Sequence, residues 1–120
     1  MKKLKSIKSL RKQADELYQE KGMRDNPRCL ICGMPAHCLH HFYSKSVASS
    51  LRYELLNGIK ICAGCHLRLH SSGDPEYEET IKRKMGGEQW LNQLRELRKK
   101  PVKTNRKYYQ DVIKKLSTLL

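Results

Sequence analysis

The sequence predicts a small α+β domain, mostly helical, and three observations carry that prediction. Several stretches place apolar residues at three- and four-residue steps, the period of an amphipathic helix. Two short apolar runs, 36–40 and 58–61, have the length of strands. Four cysteines stand beside those runs in two pairs, Cys29-Leu-Ile-Cys32 and Cys62-Ala-Gly-Cys65. With 120 residues, 38% of them hydrophobic and a single Phe, the chain builds one modest core. Residues 1–120 therefore read as a single domain: a basic N-terminal helix over 1–26, a cysteine- and histidine-rich centre over 27–73 and a C-terminal helical region over 74–120.

Each element has its own signal. Leu4, Ile7, Leu10, Ala14, Leu17 and Tyr18 share one helical face, so residues 3–21 read as an amphipathic helix. Gly22 and Asp25-Asn26-Pro27 stop it. Residues 36–40 form the first strand and Gly58-Ile-Lys-Ile61 the second. Between them, 42–56 has no clean period and reads as a long loop with a helical turn around 47–53. A helix over 62–71 follows the second cysteine pair. Asp74-Pro75 starts the next, with Asp as N-cap and Pro at the first helical position. Glu76, Glu78 and Glu79 near its start and Lys82, Arg83 and Lys84 near its end match the helix dipole, and Gly86-Gly87 ends it. Trp90, Leu91, Leu94 and Leu97 mark a helix closed by Pro101, and Tyr109, Val112, Ile113, Leu116 and Leu120 mark the last.

Paired Cys-x-x-Cys motifs have the spacing of a closed tetrahedral site, so Cys29, Cys32, Cys62 and Cys65 are expected to hold a structural Zn²⁺. Such an ion stabilises a fold whose core is thin. Thiols used this way fit a reducing cytoplasm, and no secretory leader, lipidation signal or long apolar run argues for a membrane. The fifth cysteine, Cys38, reads as a small core residue on the first strand.

The formal charge is +13, which points to a polyanionic partner, DNA first. Two runs without acids carry much of it: Lys2, Lys3, Lys5, Lys8, Arg11 and Lys12, and then Arg98, Lys99, Lys100, Lys103, Arg106 and Lys107. Two such runs flanking a metal-binding centre read as a footprint on phosphates, with Lys99, Lys100 and Lys103 as DNA contacts.

The histidines remain once the thiolate site is filled. His40 and His41 end the first strand, Asn57 precedes the second, and His66 and His70 lie on the helix. Four residues is one helical turn, so His66 and His70 share a face and can share an ion. Neighbours on an extended strand point to opposite faces, so His40 and His41 serve different ends.

His40-His41, Asn57 and His66, with His70 one turn later and a Cys-x-x-Cys pair directly before His66, resemble the HNH endonucleases, whose catalytic unit is a ββα-metal finger. The resemblance covers 29–70. It implies His41 as general base, His40, His66 and His70 as ligands of a catalytic divalent ion, and Asn57 as the residue that orients the His41 loop. The wording His40-His41-Phe-Tyr-Ser-Lys-Ser46 and the helix after Asp74 are similar to phage recombination nucleases of the NinG/Rap type, which implies a bacterial host cell and branched DNA.

The chemistry agrees with these roles. Phosphodiester hydrolysis needs a base near neutral pH, and an imidazole with an ordinary pKa of about 6.5 meets that need. A divalent ion can stabilise the charge on phosphorus and on the leaving 3′ oxygen. An all-imidazole ligand set favours Mn²⁺, Ni²⁺, Co²⁺ or Zn²⁺ over Mg²⁺. Lys45 and Arg52, in the loop over the site, are expected to touch the scissile phosphate. A sequence-preferring nicking, homing or packaging nuclease is the rival enzyme, and a non-catalytic zinc module the rival of another class. A small basic chain with no separate reader suits recognition of shape and backbone. Branched DNA has approximate two-fold symmetry, which a homodimer would match. Trp90, Leu94, Leu97, Val112, Ile113 and Leu116 offer the apolar surface for one.

Overall fold

The computed structural model describes residues 4–119, so Lys2, Lys3 and Leu120 lie outside the described residues. Among the described residues, five α-helices and one two-stranded sheet come in the order α1 (Ile7–Gly22), β1 (Cys38–His41), β2 (Gly58–Ile61), α2 (Ala63–Ser71), α3 (Pro75–Met85), α4 (Gly87–Arg98) and α5 (Arg106–Leu119). The chain is thus mixed α and β and mostly helical.

Helix α1 starts at Ile7 rather than at residue 3 because the Ser6 side chain accepts a hydrogen bond from Ser9 N at 3.1 Å and caps the helix there. Its buried face is Leu10, Ala14 and Tyr18. Strand β1 begins two residues later than the apolar run suggests. Ala36 N donates instead to the Pro27 carbonyl at 2.8 Å, which closes the first cysteine turn. The strands pair antiparallel, with His40 opposite Ile59 and His41 opposite Gly58. The 42–56 loop holds two short 3₁₀ turns, Ser49–Leu51 and Leu55–Asn57, instead of one helical turn. Asp74 accepts from Glu76 N at 3.0 Å and caps α3, and Gly86, at φ 122°, ends it in a conformation that glycine adopts freely.

The sheet lies between two helical layers. On one face Leu39 packs with Leu10, Ala14 and Tyr18 of α1, and Tyr109 and Leu116 of α5 cover that helix. Gln19 ties this layer to β1: its side chain accepts from Leu39 N at 2.9 Å and donates to Leu39 O at 3.0 Å. On the other face Ile59 packs with Ile81 of α3 and with Trp90, Leu91 and Leu94 of α4. Burial of each large side chain stabilises the fold by roughly 1.5–3 kcal/mol. Gly58 is required where β2 meets α1, since a Cβ there would come within 2.7 Å of Leu39 and 2.8 Å of the Tyr18 hydroxyl.

Much of the apolar surface expected to form a dimer is used inside the chain. Trp90, Leu94 and Leu116 are 2%, 0% and 2% exposed, and Leu97, Val112 and Ile113 pack half-buried against the same clusters. Trp90 also donates its indole N–H to the Leu56 carbonyl at 2.9 Å, which fixes α4 on the loop. Among the described residues, no helix is long and apolar enough to cross a membrane.

Candidate functional site

The four paired cysteines converge. Gly33, at φ 78°, turns the chain after Cys32, so that Gly33 N donates to Cys29 O at 2.9 Å and Cys29 N to Met34 O at 2.7 Å. The second pair opens α2, where Cys62 is the N-cap and its sulfur accepts from Cys65 N at 3.3 Å. All four sulfurs lie within 4.8 Å of one another, and those of Cys32 and Cys62 are 3.6 Å apart. A tetrahedral zinc with Zn–S bonds of about 2.3 Å would set its sulfurs roughly 3.8 Å apart.

Charge supports the same conclusion. Burial raises the Cys29 thiol, but hydrogen bonds from the backbone of Cys32, Cys62 and Ile31 outweigh it and bring the thiol down to about 6. Burial and the neighbouring sulfurs of Cys62, Cys32 and Cys29 push Cys65 upward. Four thiolates this close repel one another unless a cation lies among them, so the donor set fits a structural metal such as zinc. Cys38 is half-buried at the start of β1, with its sulfur 3.7 Å from His66 Nδ1.

The histidines divide as strand alternation requires. His40 shares its side of the sheet with Ile59 and meets the helix: its ring centroid is 5.2 Å from those of His66 and His70. The Nε2 atoms of His66 and His70 are 3.0 Å apart, and the three imidazoles offer nitrogens within 4.8 Å of one another. Burial, then the charges of His66, His70 and His41, lower His40 to about 4; burial, then His70 and His37, lower His66. Both shifts favour the neutral form of His40 and His66, whose lone pairs suit a cation.

His41 faces α1. Its ring stacks on Tyr18, with centroids 5.0 Å apart and planes 18° from parallel, and Tyr18 is itself fixed by donating to the Glu54 carbonyl at 2.9 Å. His41 Nε2 lies 2.8 Å from the Arg52 carbonyl. A carbonyl only accepts, so Nε2 carries the proton and the lone pair rests on Nδ1. Burial lowers the His41 pKa, with the Arg52 carbonyl opposing and the Lys45 and Arg52 charges reinforcing it.

Asn57 is wholly buried. Its Oδ1 accepts from Tyr43 N at 2.9 Å and its Nδ2 donates to Tyr43 O at 3.0 Å, while Phe42 N donates to the Asn57 carbonyl at 2.9 Å. These bonds pin the chain directly after His41. An open cavity of about 340 Å³ brings the two histidine groups together, with His40, His41, Tyr43, Ser44, His70 and Glu78 among its lining.

The basic residues are less uniform than the sequence suggests. Arg52 does not face the cavity through its guanidinium. That group grips Asp15 on α1, with Nε at 3.1 Å and Nη2 at 2.7 Å, and Tyr53 donates to the same carboxylate at 2.9 Å. Lys45 is exposed in the loop. Lys99 pairs with Glu96 at 2.9 Å, Lys100 borders a separate cavity with Tyr108 and Lys115, and Lys103 is exposed before α5. Sequence reasoning missed Asp15 and Tyr18, which reach the His41 region from α1. Their three-residue spacing along a helix face is the only local signal they give.

No family model, curated protein or solved structure matches this chain.

Proposed function

We propose that the chain is a metal-dependent DNA endonuclease of the HNH type, acting on branched or structured DNA in phage-type recombination. The observation that carries the reading is the shared cavity: His41 lines the same space as His40 and His70 of the histidine cluster. A binding module has no use for a base there. The order of His40-His41, Asn57 and His66 supports the family, and a charge of +13 supports the polyanionic substrate.

His40, His66 and His70 would hold the divalent ion. When bound, it supplies positive charge for the phosphoryl oxygens and the leaving 3′ oxygen. His41 Nδ1 takes a proton from the attacking water as the oxygen–phosphorus bond forms. The Arg52 carbonyl keeps the opposite nitrogen protonated, and the growing imidazolium is stabilised by that contact. The bond from phosphorus to the 3′ oxygen then breaks and that oxygen takes a proton from solvent, leaving a 5′-phosphate on one strand end and a 3′-hydroxyl on the other. Asn57 and Tyr18 hold the base in place: one fixes the chain after it and the other stacks on its ring. Cys29, Cys32, Cys62 and Cys65 take no part in the chemistry and hold α2 against the hairpin.

The test is a panel of duplex, single-stranded, flap and four-way DNA incubated with purified protein, once with Mn²⁺ and once with a mild chelator. Cleavage with Mn²⁺, strongest on branched DNA and absent in chelator, is expected. Binding without cleavage under every condition would instead make the chain a non-catalytic zinc module.

A further inference from the structure

We propose that Arg98, seated over Tyr43, is the arginine that holds the DNA backbone beside the cleaved bond. The inference rests on the nuclease reading for its substrate, and on geometry for the residue.

Tyr43 is the hinge of the case. It lines the cavity that His40, His41 and His70 share, and Asn57 holds both its backbone N–H and its carbonyl. Its backbone is therefore fixed at the wall of the site, and its ring packs edge-on against Phe42, with centroids 5.4 Å apart. The Arg98 guanidinium carbon lies 5.2 Å from the centre of that ring, so a full positive charge stands against a residue that lines the cavity.

Arg98 is also held from behind. It is the last residue of α4, a helix anchored by Trp90, Leu91 and Leu94, and its carbonyl accepts from Ser50 Oγ at 3.2 Å. Stacking on an aromatic ring occupies the flat face of a guanidinium and leaves its in-plane N–H groups free for a phosphate. A group ordered in advance loses little further freedom on binding, which a long lysine on a loop does.

The other cations near the site are less suited. Asp15 takes both ends of Arg52, and Arg95 is shared between Glu88 at 3.1 Å and Asn92 at 2.8 Å. Lys99 pairs with Glu96, and Lys100 borders the cavity beside α5. Among the described residues no carboxylate pairs with Arg98, so its charge is uncompensated until an anion arrives. The sequence points to Lys45 and Arg52 for this contact; we place the role at the end of α4 instead.

The experiment measures binding and cleavage of the best-bound DNA of the panel, with one neutral methylphosphonate placed in turn at each phosphate within a helical turn of the branch point. Binding is read in mild chelator and cleavage with Mn²⁺, for wild type, Arg98→Gln, Arg98→Lys and Lys99→Gln. Arg98→Gln should weaken binding of unmodified DNA about tenfold, Lys99→Gln much less, and Arg98→Lys should recover part of the loss. At one methylphosphonate position Arg98→Gln should cost nothing more, because the partner charge is already gone. The penalty should fall on KM rather than on kcat. Equal affinity of Arg98→Gln and wild type, or a penalty identical at every position, overturns the proposal even if the enzyme cleaves normally. Absence of cleavage with a position-specific penalty in binding would overturn the nuclease reading and leave the phosphate contact standing. Absence of DNA binding by the wild type overturns both.

Discussion

Cys62 and Cys65 open α2, and His66 and His70 follow on the same helix, so nine helical residues and their cap feed two ligand clusters of opposite character. The sulfurs come from two Cys-x-x-Cys segments, with Cys29 and Cys65 3% and 2% exposed, and all four lie within 4.8 Å of one another. The imidazoles number three and border an open cavity. A closed set leaves nothing for a substrate; an open one leaves positions for it. On the proposed reading, the chain keeps the group that holds the fold apart from the group that meets the substrate, although they are adjacent in sequence.

The sharpest way to break that contrast is to alter one sulfur. Cys65→Ser should leave the protein insoluble or unfolded, because structural zinc commonly contributes about 10–16 kcal/mol of apparent folding free energy in small domains. Circular dichroism and metal content would read it. A folded Cys65→Ser protein with undiminished zinc would show that the cluster is not structural.

His41 stands outside both clusters, so its loss should leave fold and zinc unchanged. His41→Ala should slow cleavage by about 10²–10⁴-fold while DNA affinity stays near wild type. Single-turnover rates beside binding curves would separate the two. A rate within a few-fold of wild type would transfer the base to another residue.

The smallest expected effect lies in α1. Asp15→Ala removes the partner of Arg52 and Tyr53, and with it the hold on the carbonyl that orients His41. Asp15 is 40% exposed, so solvent screening limits the stability loss to about 1 kcal/mol. Cleavage should fall about tenfold, and Asp15→Ala with Arg52→Ala together should cost little more than either alone, since both remove one interaction. Chemical denaturation and cleavage rates would check both parts, and full additivity would uncouple the α1 clamp from His41.

The two regions also differ in how much of each the sequence reveals. Ligands of the thiolate cluster come in pairs whose spacing fixes the turn, so Cys29, Cys32, Cys62 and Cys65 are recognisable without knowing what surrounds them. The helix start at Asp74-Pro75 and the stop at Gly86 are legible for the same local reason. Period-two alternation is enough to part His40 from His41. None of this tells which helix will cover His41, because that depends on Leu39 packing with Leu10 and Ala14 across the chain. The parts that Asp15, as the partner of Arg52, and Tyr18, as the ring under His41, play around the site are therefore not legible in sequence. An apolar stripe likewise does not state its occupant: Trp90, Leu94 and Leu116 suit a second copy of the chain, and the chain's own core takes them first.

The Gln19 side chain has one more consequence. A strand of four residues at the border of a sheet offers a spare N–H and carbonyl to any extended peptide that drifts past, and such borders seed clumping and fibres. Gln19 imitates the missing neighbour at Leu39, and on the far border the Lys60 carbonyl is already occupied by Leu30 N at 2.9 Å. Each border thus has backbone groups already occupied, which blunts the ribbon of a thinly cored chain against zipping to another copy at high concentration.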